Sequence, residues 1–400
     1  MSCGVTSRPP PGQSLLVRAP FLLYLAILAP HIVVLVLLKH RVEAGSITVT
    51  DLTEQIHMKK YVKTITIPLL GGLFAWWFIR RLDWRMVGLH LGEAQIWPLV
   101  LAALIVNLTM LSRSLRWQVL LAPSARVSLR NLLAATSIGF GALFVIGRTG
   151  EIVRPAMLSI HEKLRPSLTF ASIFIERIFD TATIILLFSI NLLFFKFPAA
   201  SPVDSSTIRL FRLVGLMTTL GILTIIALLT LLRLRAEPTI KLLETRVLPL
   251  SPRLLRPIIN FVQHLTEGLS VLTNIRELSA TILHTIILWS LIFASGWITF
   301  AAFDLHFSLS ELIFMTGFGV VGSLIPTPGG SAGAYHAVAA RSVELLGVEP
   351  NLAASAVIVG HLIGFVPPFL MGLYFIVRDE IHLTQIRDIL TREGDPHIID

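Results

Sequence analysis

The sequence predicts an all-α polytopic membrane protein, and three observations lead to this fold class. Of its 400 residues, 54% are hydrophobic and 14% are charged, about half the charged fraction of an ordinary soluble chain. The mean hydropathy is +0.77. The apolar residues lie in long blocks, several of which approach the roughly 20 residues that a membrane-spanning helix needs. A soluble protein is therefore excluded, because so few charges cannot cover a water-exposed surface.

The net charge of +9 does not indicate a nucleic-acid partner. The basic residues lie between the apolar blocks rather than on one face, so we expect no nucleic-acid binding. The single cysteine, Cys3, excludes a disulfide framework and a cysteine-rich metal site. Since the sequence contains no phosphate-binding loop and no zinc or serine-hydrolase motif, we expect no metal and no cofactor.

Seven apolar blocks predict about seven spanning helices. The first block, residues 21–38, is not followed by a cleavage site, and we interpret it as an extra helix outside the main unit rather than as a signal peptide. The other six blocks are residues 65–79, 96–111, 170–197, 213–232, 280–303 and 352–377.

Two further blocks, residues 132–146 and 312–325, are too short to span and predict re-entrant or broken helices. Each is followed by residues that interrupt a helix, a glycine cluster that begins at Gly147 and a proline and glycine cluster that begins at Pro326. Interrupted backbone inside a bilayer is tolerated only where it is buried in protein or lines a cavity. We therefore expect the two breaks to meet at a polar cavity.

The order of the blocks predicts an inverted repeat within residues 61–377. Residues 61–197 and 209–377 each contain span, span, re-entrant block and span, so that three crossings per half give the halves opposite orientations. The sequence Gly-Phe-Gly at residues 139–141 recurs at residues 317–319. Residues 1–60 then form the extra helix and a cytoplasmic linker, and residues 378–400 form a cytoplasmic tail.

The placement of lysine and arginine predicts the orientation of the chain. When the C-terminus is in the cytoplasm and both short blocks turn back, most basic residues of the loops fall in cytoplasmic segments. Membrane proteins show this bias toward positive charge on the cytoplasmic side. We therefore expect a multi-pass protein with a cytoplasmic C-terminus.

Three charged residues, Glu176, Arg177 and Asp180, lie inside the block 170–197. A charge at the middle of a spanning helix costs at least about 2.5–3.5 kcal/mol on insertion scales, so these residues need a role. Asp180 can pair with Arg177 at a spacing of i, i+3. The three residues either lock helices together or line the path of a polar substrate, and the two interpretations are compatible.

The segment around the first break is a second candidate site. A helix that follows Gly150 presents free backbone N–H groups at its start. With Arg148 and Arg154 beside it, this end suits an anionic group such as a lipid phosphate. The alternative is that Glu151 pairs with one of these arginines and closes the turn.

Arg113, Arg116 and Trp117 follow the predicted span 96–111. Arginine and tryptophan at the end of a span are ordinary anchors at the membrane interface, so the interface interpretation is favoured for these residues.

The second break is followed by a further group of polar residues. A helix is expected to begin near Ser331 and to carry Tyr335 and His336 on its first turns. His361 lies in the last block, where a lone histidine is as compatible with packing as with function.

Four ordered motifs run through most of the chain, and they are Arg113-Ser114-Leu115-Arg116-Trp117 through Leu120-Leu121, Gly147-Arg148-Thr149-Gly150-Glu151 with Arg154-Pro155, Glu176-Arg177 with Asp180, and Pro326-Thr327-Pro328-Gly329-Gly330. In their order and spacing they resemble those of the lysylphosphatidylglycerol synthase/flippase integral-membrane family. The resemblance covers about residues 61–377. It implies a bacterial or archaeal inner-membrane protein whose relatives include the lipid-flipping region of aminoacyl-phosphatidylglycerol synthases and stand-alone members proposed to move lipids or lipid-linked products.

The chain departs from the family pattern in three respects. The resemblance leads us to expect a glutamate where Tyr335 stands and an arginine where His361 stands. The segment after Val377 is too short for the soluble synthase domain of the fused enzymes. We therefore expect no aminoacyl-lipid synthesis, and the substrate of the fused proteins does not carry over.

The leading functional hypothesis is a lipid or lipid-linked-product translocase of the bacterial cytoplasmic membrane. It would bind an anionic head group, of a phospholipid or a lipid-linked glycan, in a mid-membrane cavity. One alternative is an intramembrane transferase that acts on a lipid-linked substrate with a carboxylate as base. Another is a non-catalytic membrane subunit of a lipid or glycan synthesis complex. The candidate cavity residues are Arg148, Thr149, Glu151, Arg154, Glu176, Arg177, Asp180, Pro326, Thr327, Pro328, Gly329, Gly330, Tyr335 and His361.

Overall fold

The structure, a computed structural model, describes residues 72–73, 75–235, 241, 274–325 and 328–379. All structural statements below concern these residues. The predicted block 21–38 and most of the block 65–79 lie outside them, as do Pro326 and Thr327 of the second break. The backbone of residues 148, 149 and 328 is described, but their side chains are not.

The described residues form α-helices and no strand, which confirms the all-α fold class. A 3₁₀ turn, Gly147–Ile152, and a short kinked segment, Pro328–Ser331, interrupt the helical order. In chain order the helices are α1 (Trp84–Glu93), α2 (Ile96–Leu121), α3 (Leu129–Ile146), α4 (Val153–His161), α5 (Pro166–Phe194), α6 (Ser205–Leu234), α7 (Ile275–Ala301), α8 (Leu309–Ser323), α9 (Ala334–Glu344) and α10 (Pro350–Arg378).

Five of these helices, α2, α3, α6, α7 and α10, are long and apolar enough to cross a membrane. Helix α8 is apolar but has only 15 residues. Helix α5 has 29 residues, carries three charged side chains and is not among the five. Several apolar helices of spanning length indicate a multi-pass membrane protein. The total of about seven spans and the inverted repeat stay predictions.

Helix α3 is longer than the sequence block from which it was predicted. It begins at Leu129 because the hydroxyl of Ser128 accepts a hydrogen bond from the backbone N–H of Asn131, at 3.2 Å, and caps the helix. Its 18 residues correspond to about 27 Å, so length alone permits it to span and the prediction that it is too short is wrong. It ends at Gly147, whose φ of 69° stops the helix as predicted.

Helix α3, the 3₁₀ turn and α4 form a helical hairpin, here called the first hairpin, because α4 packs back against α3. Glycine permits the close approach. A Cβ atom on Gly139 would lie 2.6 Å from Cβ of Arg154, and one on Gly150 would lie 2.3 Å from the backbone nitrogen of Leu143. Helix α4 has nine residues, about 13 Å, and is too short to cross a bilayer by itself.

Helix α8, the segment Pro328–Ser331 and α9 form a second hairpin of the same kind. The chain reverses at Gly329 and Gly330, whose φ values are 72° and 64°. A Cβ atom on Gly322 would lie 3.0 Å from Cα of Tyr335, so glycine again brings the two arms together. The hydroxyl of Ser331 donates a hydrogen bond to the carbonyl of Ser323, at 3.0 Å, and joins the reversal to the end of α8.

The hairpins are held within a bundle of long helices. Helix α2 packs against α7, α3 packs against α10, and α8 packs against α5. A cluster of phenylalanine side chains joins α5 to α8, with the rings of Phe195 and Phe314 stacked at 4.7 Å. The segment Pro328–Ser331 contacts both the 3₁₀ turn and α3. The described parts of the two breaks are therefore in contact with each other, and the polar cavity expected at them stays a prediction.

Candidate functional site

Two long helices bring charged side chains into the interior of the protein. Helix α2 carries Arg113 and Arg116 one turn apart, and α5 carries Glu176 and Asp180 at i, i+4, so each pair occupies one face of its helix. Because α2 packs against α5, the two faces oppose each other. Opposite charges are thereby placed within contact distance away from solvent.

Asp180 lies between the two arginines of α2. Its Oδ1 atom is 2.6 Å from Nη1 of Arg116, and its Oδ2 atom is 3.3 Å from Nη1 of Arg113. The same Nη1 atom of Arg116 donates a hydrogen bond to the hydroxyl of Thr285 on α7, at 3.1 Å. Three helices therefore meet at one guanidinium group, and Arg116 has no exposed surface.

Glu176 is fully buried and is held by two arginines from different elements. Its Oε1 atom is 2.7 Å from Nη1 of Arg154 and 3.3 Å from Nη2 of Arg116. Arg154 lies near the start of α4, immediately after the first break, so this ion pair fastens the returning arm of the first hairpin to α5. Nε of Arg154 also donates to the hydroxyl of Thr136 on α3, at 3.2 Å.

The ring of Trp117 packs against the guanidinium group of Arg154. The guanidinium carbon of Arg154 lies 4.2 Å from the centroid of the Trp117 ring, which is a cation–π contact. The indole N–H of Trp117 donates to the hydroxyl of Ser172 on α5, at 2.8 Å, and this bond fixes the plane of the ring. The carboxylate of Glu176, the hydroxyl of Thr136 and the ring of Trp117 together fix the orientation of Arg154.

These side chains form one buried group, which we call the arginine network. It consists of three cations and two anions, a surplus of one positive charge. Some of its donors are buried without a hydrogen-bond partner among the described residues, including Nη2 of Arg154 and Nε of Arg116. Oε2 of Glu176 is also without one. The members are Arg113, Arg116, Arg154, Glu176 and Asp180.

The interface interpretation of Arg116 and Trp117 is wrong. Helix α2 does not end near residue 111 but continues to Leu121, and both side chains are fully buried. An anchor at the membrane interface would have its side chain exposed to lipid and water. Arg113 belongs to the same buried network, through Asp180.

The predicted pair between Arg177 and Asp180 is also wrong. Nε of Arg177 instead lies 4.0 Å from Oε2 of Glu151, and both side chains are about one third exposed. Arg177 follows Glu176 directly, so it points about 100° around the helix from the buried face. The alternative in which Glu151 pairs with Arg154 is likewise not observed, because Arg154 pairs with Glu176.

The helix predicted after the first break begins at Val153, after a 3₁₀ turn rather than directly after Gly150. No side chain caps its start. Helix α9 begins at Ala334, three residues later than predicted, and carries Tyr335 and His336 in its first turn as expected.

A second polar cluster surrounds the second break. Nε2 of His361 on α10 lies 2.9 Å from the carbonyl oxygen of Gly329. The ring of Tyr335 meets that of His361 edge-on, with centroids 4.7 Å apart, and the ring of His336 lies 4.6 Å away. We call His336 and His361 the histidine pair. The sequence predicts Tyr335 and His361 as cavity residues and places His336 on the same helix as Tyr335, but it does not predict that the three rings contact one another.

Helix α3 connects the arginine network with the second break. The ring of Phe140 lies 4.9 Å from the guanidinium carbon of Arg113. One turn later, Phe144 stacks on Phe365 at 5.4 Å, and Phe365 lies 4.9 Å from His361. Consecutive turns of α3 therefore contact Arg113 of the arginine network and Phe365, the aromatic neighbour of His361.

Two pockets are lined by described residues, and the first borders the histidine pair, because its lining includes Ala337 and also Phe78, on which His336 stacks. This first pocket, of about 280 Å³, is lined in part by Arg81, Arg341 and Glu344. The other, of about 130 Å³, is lined in part by His90 and Asp304. Neither is lined by a predicted cavity residue, so the predicted mid-membrane cavity stays a prediction.

Sequence reasoning missed the hydroxyl groups that complete the arginine network. Thr136, Ser172 and Thr285 are buried and each bonds to a network residue or to its aromatic support. Their only signal is a hydroxyl within an apolar block, which is too common in membrane helices to be specific. Within the described part of the chain, no group of three or more histidine, cysteine, aspartate or glutamate side chains could hold a metal ion.

A protein-family model described as the lysylphosphatidylglycerol synthase TM region matches residues 65–372. The matched range includes helices α1 to α9 and most of α10, together with both breaks and the arginine network. No curated protein matches this chain.

Proposed function

We propose a function for this chain, which belongs to the family of the lysylphosphatidylglycerol synthase TM region. The protein moves an anionic lipid, or a lipid-linked product, between the leaflets of the bacterial cytoplasmic membrane. Membership in the family supports a lipid-related role in a membrane. The further step to translocation rests on the interior of the protein.

The observation that carries the proposal is the surplus positive charge of the arginine network. A buried charge without a partner is strongly unfavourable, so proteins neutralise or bind what they bury. Here three guanidinium groups face two carboxylates, and Nη2 of Arg154 has no partner among the described residues. A phosphate supplies one negative charge and acceptor oxygens that suit the planar guanidinium group. We infer that an anionic head group completes the network.

The two hairpins support a mechanism in which the halves move against each other. Each hairpin packs against the last long helix of the other half, α3 against α10 and α8 against α5. The contacts between halves thus follow the pattern expected for an inverted repeat whose halves rock about a central site. The lipid head group would pass the breaks while its tails stay in the bilayer. A cytoplasmic C-terminus is part of this proposal.

Reconstitution of the purified full-length protein into vesicles tests this function. Fluorescent phosphatidylglycerol in the outer leaflet should become inaccessible to a membrane-impermeant reductant faster than it does in protein-free vesicles. Arg154→Gln should reduce the rate at least tenfold, because it removes a buried donor beside the phosphate. The control Arg209→Gln, near the start of α6 and outside the network, should leave the rate unchanged.

The outcomes separate the hypotheses. If neither phosphatidylglycerol nor native lipid extract moves, the translocase proposal is wrong. If the lipid is chemically modified instead, the intramembrane transferase is correct. The carboxylates Glu176 and Asp180 are poorly suited to that reaction, because each is engaged by arginines and a base must be free to take a proton. Activity that appears only with a lipid or glycan synthesis enzyme supports a role as its membrane subunit.

A further inference from the structure

The pocket of about 280 Å³ beside α9 contains two arginines from distant parts of the chain, and we call it the α9 pocket. Arg81 follows the helical segment at residues 75–79, and Arg341 lies in the last turn of α9. The volume is close to the lower end of the roughly 300–1,000 Å³ that small-molecule pockets occupy, so it suits a head group rather than a whole lipid. None of the described residues that line the pocket belongs to the arginine network.

The α9 pocket carries a surplus of one positive charge. The charged residues among those described in its lining are Arg81, Arg341 and Glu344. Nη1 of Arg341 lies 2.5 Å from Oε2 of Glu344, so these two charges compensate each other. Arg81 takes part in none of the ion pairs between described residues. Its guanidinium carbon lies 4.1 Å from the centroid of the Trp77 ring, and a guanidinium group packed on a ring keeps its edge available to donate hydrogen bonds to an anion.

The other walls of the pocket are largely apolar and include Phe78 and Pro350. The chain around Arg81 has the composition of a membrane interface, since residues 76–85 contain three tryptophans and three arginines. Trp76 and Trp84 are 55% and 52% exposed. Exposed tryptophan and arginine side chains at the end of an apolar block are typical of the depth at which lipid head groups lie. A ligand that combines a phosphate with an apolar body fits both kinds of wall.

We propose that the α9 pocket binds the phosphate group of an anionic phospholipid, with Arg81 and Arg341 as the hydrogen-bond donors. This site is separate from the arginine network, and it does not depend on translocation. The surplus of one positive charge matches a phosphodiester, which carries one negative charge. A zwitterionic lipid fits less well, because its ammonium group finds Glu344 already engaged by Arg341.

Protection of Arg81 from chemical modification tests the inference at the site itself. The full-length protein in nonionic detergent is treated with phenylglyoxal, which condenses with guanidinium groups, and peptide mass spectrometry reads the modified fraction of each arginine. Short-chain phosphatidylglycerol at about ten times its half-protecting concentration should slow the modification of Arg81 about tenfold, because about one tenth of the sites are then free. The internal control is Arg80, which lies 4.4 Å from the ring of Trp76 but does not line the pocket, and it should not be protected.

Two further ligands identify the chemical class. Phosphatidylcholine of the same chain length should protect Arg81 only at concentrations at least about tenfold higher, because it carries no net negative charge. Glycerophosphoglycerol is the head group of phosphatidylglycerol without acyl chains, and it separates a lipid from a soluble phosphate ester. It should also be at least about tenfold weaker, because it leaves the apolar walls uncovered.

The variant Arg341→Gln tests the second donor from a different element. It should raise the half-protecting concentration of phosphatidylglycerol at Arg81 about tenfold, the effect of one lost hydrogen bond to a charged group. The fold should be retained, because the pair that Arg341 makes with Glu344 is partly exposed. The matched control Arg80→Gln should leave the half-protecting concentration unchanged.

Each outcome decides the inference. It is wrong if phosphatidylglycerol protects Arg81 no better than Arg80, or if phosphatidylcholine protects Arg81 equally well. Equal protection by glycerophosphoglycerol overturns the lipid as the ligand and assigns the pocket to a soluble phosphate ester. Unchanged protection in Arg341→Gln overturns the pocket as the site. If the predicted protection appears in a protein that moves no lipid, only the translocase proposal fails.

Discussion

At the scale of single residues, Glu176 has the most demanding environment in the described protein. Its carboxylate has no exposed surface and is held by the guanidinium groups of Arg154 and Arg116. Removing one partner of a buried ion pair is more damaging than replacing the whole pair, because the remaining charge is left uncompensated. Glu176 compensates two such charges.

Glu176→Gln should therefore lower the stability of the folded protein by about 3–5 kcal/mol. The measurement is thermal unfolding in mild detergent, followed by helical circular dichroism. The matched control is Glu344→Gln on α9, whose pair with Arg341 is partly exposed and should contribute no more than about 1 kcal/mol. Equal changes for the two variants would contradict the assigned role of the arginine network.

The residues of the network could be predicted from the sequence only in part. Glu176 and Asp180 were predicted as site residues because they are charged residues inside an apolar block. Arg154 was predicted because it follows the glycine cluster of the first break. Arg116, the partner of the two carboxylates, was assigned to the membrane interface, because its contacts with them join positions at least 60 residues apart. Sequence spacing gives the face of a helix, but only tertiary packing decides what that face meets.

At the scale of elements, the hairpins depend on glycines that allow their arms to touch. Gly150 is the tightest case in the first hairpin, since a Cβ atom there would lie 2.3 Å from the backbone of Leu143. A backbone contact cannot be relieved by a change of side-chain rotamer. The first hairpin must therefore open, or α4 must shift, if Gly150 is replaced.

Gly150→Ala should destabilise the protein by more than about 1 kcal/mol and weaken the contact of Arg154 with Glu176. The control Gly221→Ala lies in α6, where an added Cβ atom has nothing within 4 Å. It should be neutral or stabilising, because alanine has the higher helix propensity by about 1 kcal/mol. Thermal unfolding of both variants side by side checks the difference, and an unaffected Gly150→Ala would show that the arms can separate freely.

The start of α6 gives a prediction for the dependence of stability on pH. Hydrogen bonds from Ser206 and Thr207 lower the pKa of Asp204 to about 2, below its usual value of about 3.9. The stabilising effect of the carboxylate is therefore present above pH 4 and is lost as the pH falls toward 2. Asp204→Ala should cost about 1 kcal/mol at pH 7 and progressively less below pH 4. Unfolding midpoints across this range, with parent and variant together, measure the effect, and a constant difference would contradict it.

The elements themselves were largely predictable. Every apolar block inside the described ranges is a helix, because blocks of this length and hydropathy have no other stable form in a membrane. The extension of α2 and α3 beyond their blocks was not predictable from hydropathy. Polar and small residues such as Arg113 continue a helix when neighbouring helices satisfy them.

At the scale of the whole molecule, the contact between α3 and α10 links the two proposed halves. A Cβ atom on Gly141 would lie 3.5 Å from Cα of Phe369, so a cysteine at each position tests whether this contact can be crosslinked. If the halves rock during transport, fixing this contact should stop it.

The variant Gly141→Cys with Phe369→Cys, in a background with Cys3→Ser, should lose lipid movement on oxidation and recover it on reduction. The single-cysteine variants are the controls and should not respond to oxidant. Transport that continues in a fully crosslinked sample would exclude relative movement of α3 and α10. The inverted repeat was predicted from the order of the blocks, and it stays a prediction.

The second break also determines where the sequence can vary. Gly329, Gly330, Ser331 and Gly333 all have positive φ values, between 59° and 72°, within five consecutive residues. Most amino acids are strained in this conformation whatever space surrounds them. In a complete substitution library, residues 329–333 should therefore tolerate fewer substitutions than the arginines of the arginine network. Ser331 is the one residue with a positive φ in this stretch that is not glycine, so Ser331→Gly should be the best tolerated substitution at that position.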